Sequence, residues 1–462
     1  MKKTTTSTLM RLLLLLVCIA LPLGFTACSD DDDPTTTDRP GTEPEPEADY
    51  TIMFYGCGGG NLDLALIYNL AQVEGYGYSE KVQFTGLVKY SVPYQTDDDA
   101  RLQGTRLYNL TPEGMDNQRM ADADYRLDNP DHLASFISDA TERMPAKRYI
   151  LILWNHGSEF KSDYDQPNKW PGSSTRGVIF DDNVQEAGKN SHLSIFELEE
   201  GLKRSGVHLD LIYMDVCQMS MMENICQIAD YTDYILGASH LTPGFGGHYG
   251  RLMDKLEQHS EVLPAMQEYV PQTVELWKSL DATSSCDLAL TDTRMLPPVL
   301  DEMRLFTDAL IEERNSRQND AEAIKEFDYC QYKSTYFFAQ EHGGNSIDLD
   351  YYANHVSNYS ANGKLSTQAY LLSNALQKML PVRASYHNEG TIPEFSVGII
   401  WLPADTYNTD GYTITDEDGQ IHEYAGYGTL YPMLKFHRQT GWGRFLSKNE
   451  FVPDESDENT EK

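Results

Sequence analysis

Two short stretches carry side chains that together could do covalent chemistry. Asp215, Val216 and Cys217 follow the apolar run Leu209–Met214 and precede apolar residues at helical spacing from Met219 to Ala229. Asn155, His156 and Gly157 follow a second apolar run, Tyr149–Trp154. A thiol and an imidazole are the minimum set for nucleophilic acyl transfer. The thiolate attacks, and the histidine holds its proton and later returns it to the leaving amine. Backbone amides complete the set by receiving the oxyanion, for which Gly157 and the amide of Cys217 are the candidates. Asp215 and Cys217 are two residues apart, so on an extended chain they face the same way. A cysteine opening a helix also feels the positive end of the helix dipole, which favours thiolate. Other readings of the same residues stay open. Cys217 fits a buried core cysteine, His156 a strand cap, and Asp215 a cap for the following helix.

The elements that must position these groups are legible as well. Short apolar runs without glycine or proline are strands of a buried α/β sheet, and such sheets present their chemistry at the carboxyl edge. Tyr50–Tyr55 predicts a first strand, followed by the turn Gly56-Cys57-Gly58-Gly59-Gly60-Asn61 and a helix from Leu62. That turn lacks the GK[ST] ending of a phosphate loop, and its glycine spacing fits no dinucleotide fingerprint. Lys81–Tyr90 predicts a strand, Gly104–Leu110 a third strand or hairpin partner, and Asp131–Met144 a helix. Ser158–Gln185 reads as a polar loop. Ser194 and Glu197 form a capping box for a helix running to Arg204, which Gly206 ends. Tyr234–Ser239 is the next strand, and the glycine-rich loop His240–Gly250 then walls the same sheet edge. Further on, helices near 251–280 and 293–315, a strand at Asp287–Thr291, a helical region after Ser346–Tyr351 and an apolar strand at Phe395–Pro403 are expected, with Trp442–Leu446 packed on the core. Strands alternating with helices predict an α/β fold with right-handed crossovers.

At 462 residues the chain exceeds one ordinary α/β domain. It divides into a core over 50–292 and additions over 293–450. A formal net charge of −35 argues against nucleic acid as a partner. The seven cysteines include no CxxC pair, which argues against a zinc ribbon or a thioredoxin-type motif. The absence of a G-x-S-x-G elbow argues against a serine esterase. Residues 1–27 read as a signal peptide, with Lys2, Lys3 and Arg11 before an apolar segment too short to span a bilayer. The segment ends at Cys28 in a way that resembles a lipoprotein cleavage site. Cys28 is therefore the expected lipidation point, and the lipid anchor makes the membrane a partner. Residues 28–49 form an acidic, Pro/Thr/Glu-rich tether, and 451–462 an acidic tail that buries nothing. The expected location is the outer membrane or cell surface, with the periplasmic side as the alternative.

NHG at the end of one apolar strand and MDVC at the end of a later one resemble the clostripain family of cysteine peptidases, whose folds belong to the caspase-like group. TIMFYGCGGGNLD, GASHLTPGFGGHY and FSVGIIWLP resemble further family segments in the same order. The resemblance implies a caspase-like α/β/α sandwich with a mostly parallel central sheet and additional C-terminal helices and strands. It implies a His156–Cys217 dyad cleaving protein or peptide substrates through a thioester. It puts Asp215, with Ser239 and His240, in the S1 pocket, where the family uses acid to hold a basic P1 side chain. The loop carrying Ser239, His240 and Phe245 has no acid of its own, a departure that leaves the P1 preference open. It further implies self-cleavage in the loop after His156, where Lys161, Lys169 and Arg176 are the basic candidates. No cofactor is expected from the residues, although some relatives need calcium. A catalytically silent surface lipoprotein that keeps the fold as a binding module is the rival reading.

Overall fold

The computed structural model describes residues 48–59, 61–157, 177–186, 189–316, 346–387, 396–409, 411–415 and 421–448. The signal peptide, Cys28, the self-cleavage candidates Lys161, Lys169 and Arg176, and the acidic tail all lie outside the described residues.

A nine-stranded sheet organises the fold. In chain order its first members are β1 (Ala48–Cys57), β2 (Val82–Lys89), β3 (Thr105–Thr111), β4 (Gly114–Ala121) and β5 (Ala146–Trp154). A separate two-stranded hairpin, β6 (Val178–Glu186) and β7 (Lys189–Leu193), comes next. The sheet resumes with β8 (Leu209–Asp215), β9 (Thr232–Gly237) and β10 (Cys286–Asp292). After β11 (Ser346–Asp348), β12 (Val382–Tyr386) completes it, and β13 (Gly398–Ile400) pairs with β11. The spatial order is β12-β10-β9-β8-β5-β1-β2-β3-β4. The five central strands are parallel, and an antiparallel pair closes each side. Parallel strands covered on both faces carry long apolar runs, which is why β5 and β8 stand out in the sequence.

The pleat sends alternate residues to two cores. Met53, Leu151, Leu153, Ile212 and Met214 face α2 (Pro130–Arg143), α3 (Ile195–Ser205) and α4 (Met222–Ile228), together with α7 (Leu296–Ser316), α8 (Leu349–Tyr359) and α9 (Gly363–Met379). Ile52, Phe54, Ile152, Trp154, Leu211 and Tyr213 face α1 (Asp63–Tyr76), α5 (Tyr249–Gln258) and α6 (Val262–Leu280). The capping box at Ser194 forms with both of its bonds, and Gly206 ends α3 in the left-handed region. Trp442, Phe445 and Leu446 are fully buried, as expected.

Several expectations need correcting. β1 begins at Ala48, inside the stretch read as tether. The polar stretch Ser158–Gln185 is not all loop, because β6 starts at Val178. Its Asp181 is buried against Lys89. Gly104–Leu110 is a strand with a second partner, the polar β4, whose exposed residues suit a sheet edge and hide it from an apolar pattern. The strand expected over Phe395–Pro403 shrinks to Gly398–Ile400. The C-terminal additions also supply a strand, β12, to the main sheet.

Candidate active site

Register aligns the two reactive stretches. Trp154 pairs with Asp215 across parallel strands β5 and β8, so His156 and Cys217 lie the same two residues beyond the pair. Gly157 backs directly onto the Cys217 peptide. A Cβ there would sit 2.6 Å from Cys217 O, 3.0 Å from Cys217 N and 2.7 Å from Val216 Cβ. Any side chain at 157 would therefore displace Cys217.

The helix expected to open at Cys217 does not do so. Gln218 takes a left-handed φ of 56°, and its amide donates to His240 O (3.0 Å). Ser220 N then donates to Ala238 O (2.9 Å). The chain thus runs alongside the exit of β9 before α4 begins at Met222. Among the described residues no helix begins at the sulfur, so the following helix does not lend its dipole to the thiolate. Asp215 does not cap that helix either; its N-cap is Met221, with no side-chain bond.

Cys217 is half-buried, and its Sγ donates to Thr242 O at 3.8 Å. Burial above all, with the negative charge of Asp215 adding, pushes the thiol up to about 11, while the backbone amides of Gly157 and Cys217 itself pull the other way. The other described free cysteines, Cys57, Cys226 and Cys286, are buried and lie higher still. His156 Nε2 donates to Asn61 Oδ1 at 2.9 Å, and desolvation lowers the ring's pKa below the usual histidine value. Burial thus favours an un-ionised Cys217 thiol and a neutral His156 imidazole at neutral pH. Thiolate makes up about one part in 10⁴ at pH 7. Alkylation of Cys217 by iodoacetamide, followed by peptide mapping, should rise about tenfold per pH unit from pH 7 to 10. A fast rate already flat between pH 5 and 8 would instead mean a preformed thiolate–imidazolium pair.

Two buried carboxylates hold the ends of the loop that walls the site. Asp287, on β10, accepts from Ser239 N (2.9 Å), Ser239 Oγ (2.8 Å) and His240 N (2.7 Å). Asp215 Oδ2 accepts from Gly247 N (2.7 Å) and from the Tyr249 hydroxyl. Asn69 of α1 donates to Phe245 O and Gly247 O, both at 3.0 Å, and Trp277 of α6 donates to Gly246 O at 2.9 Å. Gly246 adopts φ +64°, and a Cβ there would lie 2.8 Å from Asp215 Oδ2 and 2.9 Å from Trp154 Nε1. Ser239, His240 and Asp215 are all buried. Ser239 and the backbone of His240 are engaged by Asp287. Asp215 keeps one oxygen, Oδ1, without a partner among the described residues, and burial raises its carboxyl to about 6. Among the described residues no cluster of three or more His, Cys, Asp or Glu is placed to hold a metal ion.

Three contributors carry little or no signal in the sequence. Asn61 meets His156. Asn155 clasps the exit of β1 and the start of β6: its Nδ2 donates to Cys57 O and Phe180 O, and its Oδ1 accepts from Phe180 N. Asp287 fixes the loop. The only sequence signal for Asn61 is its place at the end of the glycine-rich turn.

Comparison with known proteins bears on the family and the fold. A profile of the clostripain family matches residues 98–448. Clostripain of Hathewaya histolytica is 23% identical over 227 residues, covering 45% of this chain and 42% of that protein, less than half of its length. A secreted C11 cysteine protease from Bacteroides thetaiotaomicron, solved with an irreversible peptide inhibitor, superposes with a TM-score of 0.55 at 14% identity, covering 86% of this chain and 99% of that one. An inactive zymogen C11 protease from Parabacteroides distasonis gives 0.53 at 14% identity, covering 85% and 98%. These likenesses bear on the fold.

Proposed function

The chain belongs to the clostripain family of cysteine peptidases, and on that premise we propose that it is an exported cysteine endopeptidase with Cys217 as nucleophile and His156 as its base and acid. His156 takes the thiol proton as sulfur attacks the scissile carbonyl. The carbonyl oxygen becomes an oxyanion that the Gly157 and Cys217 amides receive. Collapse breaks the C–N bond, His156 gives its proton to the leaving amine, and a thioester remains. Water, deprotonated by His156, then hydrolyses the thioester and restores the thiol. The observation that carries this reading is the β5–β8 register together with the contact of Gly157 on the Cys217 peptide. An electrophilic peptidyl probe labels Cys217 in this scheme. Failure of arginyl, lysyl and neutral P1 versions alike, in reductant with and without calcium, would favour the silent binding module.

For specificity, the unpartnered Oδ1 of buried Asp215 supports a basic P1 side chain. A carboxyl raised to about 6 is an ill-satisfied group, and an incoming guanidinium or ammonium would favour its charged form. A second reading rests on the bonds of Oδ2: Asp215 could serve only to hold the Gly247–Tyr249 end of the loop. Asp215→Asn separates them. A P1 reader loses about 100-fold in kcat/KM on an arginyl substrate and little on a neutral one. A loop clamp loses the same on both.

Self-processing at Lys161, Lys169 or Arg176 belongs to the same proposal. The described residues on either side of that stretch meet, since Gly157 bridges Val178 beside Cys217. Intact-mass analysis of active wild type against Cys217→Ala checks it; one uncut, fully active chain would remove it. Export through a signal peptide and lipidation at Cys28 rest on the N-terminal sequence, and the secreted relative from Bacteroides thetaiotaomicron agrees with export.

A further inference from the structure

The glycine-rich turn after β1 carries no phosphate-binding signature, yet its described residues are closely constrained. Gly58 N donates to Lys89 O (2.8 Å), Asn61 N to Gly59 O (2.9 Å) and Leu62 N to Gly58 O (3.1 Å). A Cβ on Gly58 would fall 2.0 Å from Asp63 Oδ1, and one on Gly59 would fall 2.7 Å from Phe180 O. Asp63 is itself buried, and its carboxylate accepts from Ser91 N (2.8 Å) and Ser91 Oγ. Asn155 holds Cys57 O from the other side. All of this fixes one exposed side chain, Asn61, whose Oδ1 lies 2.9 Å from His156 Nε2.

We infer that Asn61 is the positioning residue for His156: its carboxamide oxygen accepts the Nε2 proton, which holds the ring in place and leaves Nδ1 as the nitrogen that exchanges a proton with the Cys217 thiol. The inference rests on the cysteine-peptidase reading for its consequence and on geometry alone for its premise. An imidazole has two nitrogens, and the hydrogen bond made by one decides what the other can do. Oδ1 only accepts, so Nε2 must carry the proton, and the lone pair falls to Nδ1. A neutral acceptor suits a ring that has to be neutral at rest. A carboxylate in its place would stabilise imidazolium and move the titration upward.

Three variants test the assignment. Asn61→Leu keeps the bulk and removes the acceptor. It should lower kcat about 10- to 100-fold with KM changed less than about threefold. Asn61→Gln should fall between Leu and wild type. Asn61→Asp restores an acceptor and adds charge. At pH 8 it should recover most of kcat, while the acid limb of its kcat/KM profile moves up by about one pH unit or more. A residue that only packed the turn would give Asp and Leu the same loss and an unmoved limb. The His156 titration, followed by NMR in a Cys217→Ala background, reads the contact without any activity. An upward shift in Asn61→Asp with no peptidase activity in any form would sink the functional reading and leave the contact standing. A His156 titration unshifted by Asn61→Asp would overturn the inference itself.

Discussion

Cys217→Ala should abolish peptide hydrolysis, with kcat/KM falling by about four to six orders of magnitude and the fold intact. The size of the loss follows from the division of labour. In the proposed mechanism no acyl-enzyme forms without sulfur, and what remains is oxyanion stabilisation and substrate positioning by the Gly157 and Cys217 amides. The mutation deletes one half-buried sulfur at a strand exit, so the melting temperature should move by no more than about 2 °C. Cys217→Ser should be nearly as dead, because a hydroxyl in the surroundings that already push a thiol to about 11 will not ionise. His156→Ala should lose a similar amount, and the double mutant little more, since groups that act as one unit are far from additive. Active-site titration with a peptidyl probe and calorimetry on the same preparations check both halves. Substantial activity in Cys217→Ala would require another nucleophile. The described alternatives are poor ones, with Cys57, Cys226 and Cys286 buried and harder to ionise.

Much of this site is legible in the amino-acid sequence, for a definite reason. β5 and β8 are covered on both faces, so each is a nearly unbroken apolar run, and a polar residue after such a run marks the carboxyl edge. His156, Gly157 and Cys217 announce themselves in that way. Strand parity is equally plain: Asp215 lies on the α1/α5/α6 side with Tyr213, while Val216 belongs to the opposite core. What stays illegible depends on distant partners. Nothing local says that Asp287 accepts from Ser239 and His240, or that Asn61 will meet His156 in the folded chain. The start of α4 is hidden for the same reason. Met219 and Met221 sit at helical spacing from later apolar residues, while tertiary pairing with β9 keeps the chain extended there. The dipole effect expected at Cys217 disappears with that boundary. The surroundings of the S1 candidates are equally hidden, since burial of Ser239, His240 and Asp215 depends on how the 240–250 loop folds back.

Lys89→Met should be among the most destabilising single changes in the fold, by about 3–5 kcal/mol. Lys89 and Asp181 form an ion pair that is wholly buried on both sides, and the ammonium also donates to Ala123 O (2.9 Å) and Tyr125 O (2.7 Å). Removing the cation leaves Asp181, already raised by burial, with no charge partner. For a chain of this size that loss corresponds to a drop of about 4–6 °C in melting temperature. The sign of its pH dependence follows. Unfolded Asp181 ionises near the ordinary carboxylate value, and the folded group does so only at higher pH. Between the two the native state holds the extra proton, so stability falls as pH rises. The gap to wild type should thus be smallest near pH 4 and widen toward pH 8. The double change Lys89→Met/Asp181→Leu should recover much of the loss, because it removes the orphaned charge along with its partner. A functional consequence comes with it. Asp181 lies three residues after Val178, which bridges Gly157, and directly after Phe180, which Asn155 holds. Ile179 between them is fully buried at φ +60°, a conformation that a β-branched side chain adopts only under tight constraint. The ion pair is therefore the clamp that keeps this returning strand against the exit of β5. Near its melting range the Lys89→Met enzyme should lose kcat before it loses secondary structure, as the support behind Gly157 loosens first. Coincident loss of activity and circular dichroism signal would show instead that the clamp contributes to global stability alone.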